Sequence, residues 1–429
     1  MKKIFMLLFM SILLVACSSA TDSNESGSKG GNEEVDEVTA WAWDPKFNIA
    51  ALEIAKDSYK EENPDLNVKV IENAQEDIVQ KLNTALGSGT TKGLPNIVLI
   101  EDYRAQSFLQ SFPDSFYELT DSFNSTDFAE YKIAPTSSDG KNYGVPFDTG
   151  VTGLYVRTDY LEEAGYSVED LEGIDWKEYI EIGKKVKEVT GKTFLTIDPN
   201  DLGLVRIMIQ SAGSWYVKED GVTPDLVDNA ALKEALEVYK EMIDTGILKP
   251  HSDWNQFLAG FNSGDVVTVP TGNWMTPSVK AEESQSGNWA IVPIPKLNIA
   301  GAVNASNLGG SSWYVLNIPG AEQAADFLGK TFGSNDEMYE RLVSEIGAIG
   351  TYTPASENDA YTTEDEFFSG QKTIENFAAW MEEIPSVNYG MHTYAIDDII
   401  TVEMQNYLNG KDIDDVLSDA QKQAEAQFN

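Results

Sequence analysis

Along the chain, apolar side chains recur first at every second position and then at every third or fourth, and the two spacings take turns. Val38 to Trp43 alternates as a short strand, and Asp44-Pro45 then turns the chain. Ile49, Leu52, Ile54, Ala55 and Tyr59 have helical spacing within Ile49 to Glu62, which stops at Asn63-Pro64. Leu66 to Ile71 reads as a strand, Ile78 to Leu86 as a helix, and Leu94 to Ile100 as a buried strand. Strand, helix, strand, helix, strand is the order of a parallel α/β sheet. Ligands of such sheets sit beyond the carboxyl ends of the strands, which singles out Trp43-Asp44 and Asp102-Tyr103.

The stretch from Tyr143 to Val156 breaks this rhythm. Gly144, Pro146 and Gly150 make a turn that holds Asp148 between Phe147 and Thr149, and Val151, Leu154, Tyr155 and Val156 then run on as a buried strand. We read it as the place where the chain crosses from one lobe to another, beside a ligand cleft. Leu308 to Ser312, a second glycine-rich turn entering an apolar strand at Trp313, predicts a second crossing. Between the two, Asp159–Ala164, Asp175–Val189, Leu202–Gln210, Ala230–Thr245 and Trp254–Ser263 have helical spacing. Val266–Val269 and Trp289–Ile294 read as strands, and the region after Ala321 is mainly helical.

Composition narrows the function more than the fold. With 70 acidic against 30 basic residues, the 429-residue chain carries a formal net charge of −40, which repels phosphate backbones and anionic lipid and excludes nucleic acid as a partner. The length predicts two or three domains. The single cysteine, Cys17, rules out an internal disulfide, and with only two histidines, His251 and His392, no structural zinc site and no cofactor is expected.

Met1-Lys2-Lys3 followed by the apolar run Ile4 to Val15 reads as an export signal too short to span a bilayer. It ends in Leu14-Val15-Ala16-Cys17, which resembles a bacterial lipobox; the resemblance implies cleavage before Cys17 and acylation of its thiol, anchoring the chain to the lipid bilayer. Ser18 to Glu37 is rich in Ser, Gly, Asn and acids and predicts a disordered tether.

Carboxylates beside aromatic rings suit polyols, since each hydroxyl can donate to an acid while a ring covers the apolar face of the sugar. Trp215 and Trp274 each follow a glycine closely and lack the spacing of an apolar face, whereas Trp41 and Trp313 lie inside strands and belong to the core. His392 sits in a polar-aromatic loop, Asn388 to Tyr394. Asp198 to Gly203 has a faint look of a calcium loop, but Leu202 and Ile209 occupy ligand positions, so it is rejected. No phosphate loop, nucleophile elbow or HExxH occurs.

Taken in order, the lipobox, Trp41-Ala42-Trp43-Asp44, Leu94 to Val98, Tyr143 to Asp148, Gly272-Asn273-Trp274, Gly309 to Ser312 and Asn406 to Gly410 resemble family 1 extracellular solute-binding proteins. These are sugar-binding lipoproteins of ABC importers, similar in architecture to maltose-binding protein. The resemblance implies an α/β, periplasmic-binding-protein-like type II fold: two lobes joined by a hinge of strand crossings, closing on a di- or oligosaccharide and presenting it to permease subunits. It implies no enzyme activity and a monomer. Residues 1–16 would be the signal peptide and 17–37 the lipidated cysteine and tether; 38–149 with 312–334 would form the first lobe, and 150–311 with 335–429 the second. Trp43, Asp44, Asp102, Tyr103 and Asp148 would meet the ligand from the first lobe and hinge. Trp215, Asn273, Trp274, His392 and Tyr394 would do so from the second, and the Trp215 and His392 loops lean towards raffinose-type or xylan-derived sugars. A surface glycosidase, or an importer receptor for a peptide or polyamine, stays open at this point.

Overall fold

The computed structural model describes residues 33–60 and 63–428; the export signal, Cys17 and most of the tether lie outside them, as does Glu62. The first sheet has five strands. Asn67–Glu72, Glu37–Ala42 and Ile97–Glu101 run parallel in that order, as the alternating strands and helices predict. Ser311–Val315 then joins antiparallel to Ile97–Glu101, and Gly144–Asp148 antiparallel to Ser311–Val315. Both added strands come from the stretches read as crossings; Gly144–Asp148, expected to be a turn, is instead a buried strand at the edge of the sheet, where Pro146 is tolerated despite lacking an N–H. Helices Asn48–Lys60 and Gln75–Gly87 connect the parallel strands, each within a few residues of its expected span, and helix Asp102–Ser111 follows the third strand.

The second lobe is centred on Thr152–Arg157, paired antiparallel on one side with Thr268–Gly272 and on the other with Trp289–Pro293. Its helices show the expected end signals. Asp175 accepts hydrogen bonds from the backbone of Lys177 and Glu178, Glu178 answers in a capping box, and Gly191 closes Trp176–Thr190 with a left-handed φ of 71°.

Phe147, Trp313 and Phe332 stack beneath the first sheet, with ring centroids 5.2–5.5 Å apart. Their apolar cluster continues through the crossing to Tyr155 and Phe377. A separate cluster, with Trp176, Tyr179 and Phe194, fills the second lobe. Trp41 and Trp313 are both buried in the core, as their positions inside strands require.

The two crossings run side by side. Leu308 N–H donates to the Gly150 carbonyl (2.8 Å), Gly150 N–H donates to the Asn307 side chain (3.0 Å), and Val151 bridges to Asn307. A third connection leaves the first lobe after Tyr352, which bridges to Phe128, and joins the second at Glu366–Phe368. Helix Asp336–Ile346, placed by the sequence-based boundaries in the second lobe, packs against Asn48–Lys60 of the first, with Arg341 within 3.5 Å of Ser58. Among the described residues, no helix is long and apolar enough to cross a membrane.

Candidate functional site

The two lobes face each other across a cleft of about 1210 Å³, with the paired crossings at its back. The carboxyl ends of the Glu37–Ala42 and Ile97–Glu101 strands deliver Trp43, Asp44, Glu101, Tyr103 and Arg104 to it. The hinge supplies Asp148 and Ser311, and the second lobe supplies Arg206, Trp254, Trp274 and Tyr394. Six expected residues therefore meet in one place: Trp43, Asp44, Tyr103, Asp148, Trp274 and Tyr394.

Local structure fixes each of them. Asp44 takes a left-handed φ of 52° and accepts from the Lys46 N–H at 3.0 Å, so it starts the turn into the first helix. The Trp274 indole donates to the Leu308 carbonyl at 2.9 Å, tying the ring to the second crossing. Trp254 lies 6.1 Å from Trp274 with a 31° tilt, and half of its surface is free (52%), so two indoles stand at the mouth of the cleft. Asp148 is buried and accepts from the Ser311 backbone and hydroxyl; burial pushes its carboxyl above the ordinary range, against the pull of Lys132 and Ser311.

A polar cluster joins the lobes over the cleft floor. The Tyr394 hydroxyl reaches both Glu101 oxygens, at 2.8 and 2.7 Å, and the Arg104 guanidinium lies 4.2 Å from the Tyr394 ring centroid. Burial pushes Glu101 up from the usual carboxylate range, while Tyr394, Arg104 and Arg206 pull it back. Burial disfavours the charge on Arg206, but Asp397 and Asp201 outweigh it and hold the guanidinium charged.

The other expected residues go elsewhere. Asp102 is 1% exposed and is occupied by the buried Lys132 ammonium and the Ser312 hydroxyl, the latter at 2.9 Å. A helix starts at Asp102, which turns that side chain into the first lobe and leaves Glu101 and Arg104, three apart, to face the cleft. Trp215 is buried behind Tyr103, and its indole donates to the Thr393 hydroxyl at 3.0 Å. Asn273 is buried beneath Trp274, with its N–H on the Val151 carbonyl at 2.8 Å. His392 stacks on Phe428 near the end of the chain, ring centroids 4.1 Å apart and 7° from parallel.

The sequence patterns do not point to Glu101, Arg104, Arg206 and Trp254, which also line the cleft. For Arg206 one signal does exist: a single cation within Gly203–Ser211, a helix otherwise made of uncharged, mostly apolar residues and buried throughout. No group of His, Cys, Asp or Glu able to hold a metal ion occurs among the described residues.

The family model for bacterial extracellular solute-binding proteins matches residues 55–369. The chain is 46% identical over 393 residues to a lactose-binding protein of Rhizobium radiobacter, covering 91% of this chain and 93% of that one. It is 26% identical to an arabinooligosaccharide-binding protein of Halalkalibacterium halodurans, covering 84% and 82%. Its fold is similar to that of the sugar-binding protein MalE of Xanthomonas citri, with a TM-score of 0.76 and 18% identity over 91% of this chain and 97% of that one. The two-lobed fold is therefore of the type II, maltose-binding-protein-like kind, and the protein is a binding receptor rather than an enzyme. The chain belongs to the bacterial extracellular solute-binding protein family.

Proposed function

We propose that the protein captures a short neutral saccharide of the lactose type between its lobes and delivers it to the permease subunits of an ABC importer. The observation that carries this is the make-up of the cleft. Its lining brings together indoles from both lobes, Trp43, Trp254 and Trp274, and fixed acceptors and donors, Asp148, Glu101 and Arg206. Rings cover the C–H faces of pyranoses, and carboxylates and guanidinium groups pair with their hydroxyls.

Contacts made from both lobes exist together only when the lobes are shut, so the sugar would shift an open–closed equilibrium by its differential affinity. The raffinose-type or xylan-derived expectation rested on the Trp215 and His392 loops, and neither ring lines this cleft. The lactose-binding relative supports a disaccharide instead. Cys17 would tether the receptor to the outer face of the cell membrane through its acylated thiol, which mass spectrometry of the membrane fraction would detect.

Calorimetry with mono- to tetrasaccharides tests the reading: lactose should bind one to one. A Trp274→Ala exchange should weaken that binding by about 1–3 kcal/mol from the lost aromatic contact area, with the fold intact. Wild-type protein that binds no sugar in the series, or a Trp274→Ala variant of unchanged affinity, would count against it.

A further inference from the structure

The space between the lobes is divided. Besides the cleft there is a second hollow of about 630 Å³, lined by Gln106, Pro135 and Ser137 from the first lobe and by Trp215, Asn388 and Tyr389 from the second. Tyr103 lines the cleft, and Gln106, three residues further along the same helix, lines the hollow. What separates the two is a stack of rings. Tyr103 packs 5.3 Å from Trp215 and 4.7 Å from Tyr389, and Trp215 and Tyr389 lie 4.7 Å apart. All three are at most 3% exposed.

Hydrogen bonds hold the rings in place. Thr393 accepts from the Trp215 indole and donates to the Tyr389 carbonyl at 2.7 Å, and the Gln210 amide donates to the Tyr389 hydroxyl at 3.0 Å. The Gly309 N–H donates to the Tyr103 hydroxyl at 3.3 Å, which fixes that ring to the second crossing. Tyr103 comes from the first lobe yet is buried in the second lobe's apolar cluster, so the stack is assembled across the interface.

We infer that Tyr103, Trp215 and Tyr389 form a partition that limits the length of saccharide the receptor accepts, by keeping the second hollow out of reach of a sugar in the cleft. The inference rests on the sugar-receptor reading above. The cleft alone exceeds, and the hollow alone falls within, the volumes of about 300–1,000 Å³ usual for small-molecule sites, so joining them would add room for further sugar units. The hollow's rim, with Lys218, Glu219 and Asn388, offers the polar groups that hydroxyls need.

The test measures affinities for lactose, galactosyl-lactose and digalactosyl-lactose by calorimetry, in wild type, Trp215→Ala and Trp215→Ala with Ser386→Trp. Ser386 is an exposed residue on the hollow's lining, so the second exchange fills the hollow itself. Wild type should bind the tetrasaccharide at least tenfold more weakly than lactose. Trp215→Ala should raise the tetrasaccharide-to-lactose affinity ratio at least tenfold, and the added tryptophan should return it towards wild type.

An unchanged ratio in a folded Trp215→Ala protein overturns the partition and leaves the sugar-receptor reading intact; so does a wild type that takes the tetrasaccharide as tightly as lactose. A wild type that binds none of the three sugars overturns the functional reading itself, and the partition with it. Should Trp215→Ala fail to fold, Trp215→Leu, which keeps apolar bulk in the core, reads the same ratio.

Discussion

Asp102 and Lys132 meet in the interior, where either charge alone would be costly. Their pairing accounts for a carboxylate that stands at a strand end and yet does not reach the cleft. Removing only the cation by Lys132→Met should destabilise the fold by about 3–5 kcal/mol in urea unfolding, because Asp102 is left buried without its counter-charge. Adding Asp102→Asn should recover part of that loss.

Glu101 behaves differently because it joins the lobes. Tyr394 donates to it, Arg104 and Arg206 lower its proton affinity, Asp102 raises it, and burial, the largest influence, raises it above the ordinary carboxylate range. A carboxyl that holds its proton more tightly in the closed form stabilises that form as pH falls through the raised value, and the effect is gone at pH well above it. Acidification from neutral pH towards the ordinary carboxylate range should therefore favour closure, seen as a smaller radius of gyration by small-angle scattering, and Glu101→Gln should flatten that response. Sequence found the right strand end here but chose the neighbour: a helix that begins at Asp102 reverses which of two adjacent acids faces the ligand space, and nothing local in Glu101-Asp102 says where the helix starts.

At the level of elements, periodicity places the strands and helices it reads within a few residues, because most are amphipathic or wholly buried. It misses helix Asp102–Ser111 and the short strands Leu195–Ile197 and Leu248–Pro250, and it takes strand Gly144–Asp148 for a turn. Pairing was harder to read. Ser311–Val315 lies between Ile97–Glu101 and Gly144–Asp148, strands far away in sequence, and no pattern within a strand encodes so distant a partner. The helix Asp336–Ile346 is a similar case, since its apolar face fits either lobe and only tertiary packing decides.

The crossing was legible for a physical reason. Gly150 lies so close to the Leu308 carbonyl that a Cβ there would fall inside its van der Waals surface, and Gly310 has a left-handed φ of 89°. Both constraints select glycine, and glycine is visible in sequence. Gly150→Ala must push the two crossings apart and should cost about 1–3 kcal/mol of stability, measured by chemical denaturation.

For the whole molecule, most of the charge of −40 lies outside the site: the cleft is lined by six acids (Asp44, Glu76, Glu101, Asp148, Asp201 and Glu345) and three cations (Lys46, Arg104 and Arg206). Charges exposed to solvent are screened over about 8–10 Å at physiological salt. A neutral sugar should thus bind with an affinity that changes by less than about threefold between low and high salt, whereas a cationic ligand would lose far more. Titration at several salt concentrations separates the two. Asn307 carries a further consequence. Its side chain holds Gly150 and its backbone bridges Val151, so the neighbouring crossings are tied and cannot flex independently. Tied pivots make the two crossings move as one unit, so a dye pair with one member on each rim would report ligand occupancy as a change in a single distance, which is the property a sugar biosensor requires.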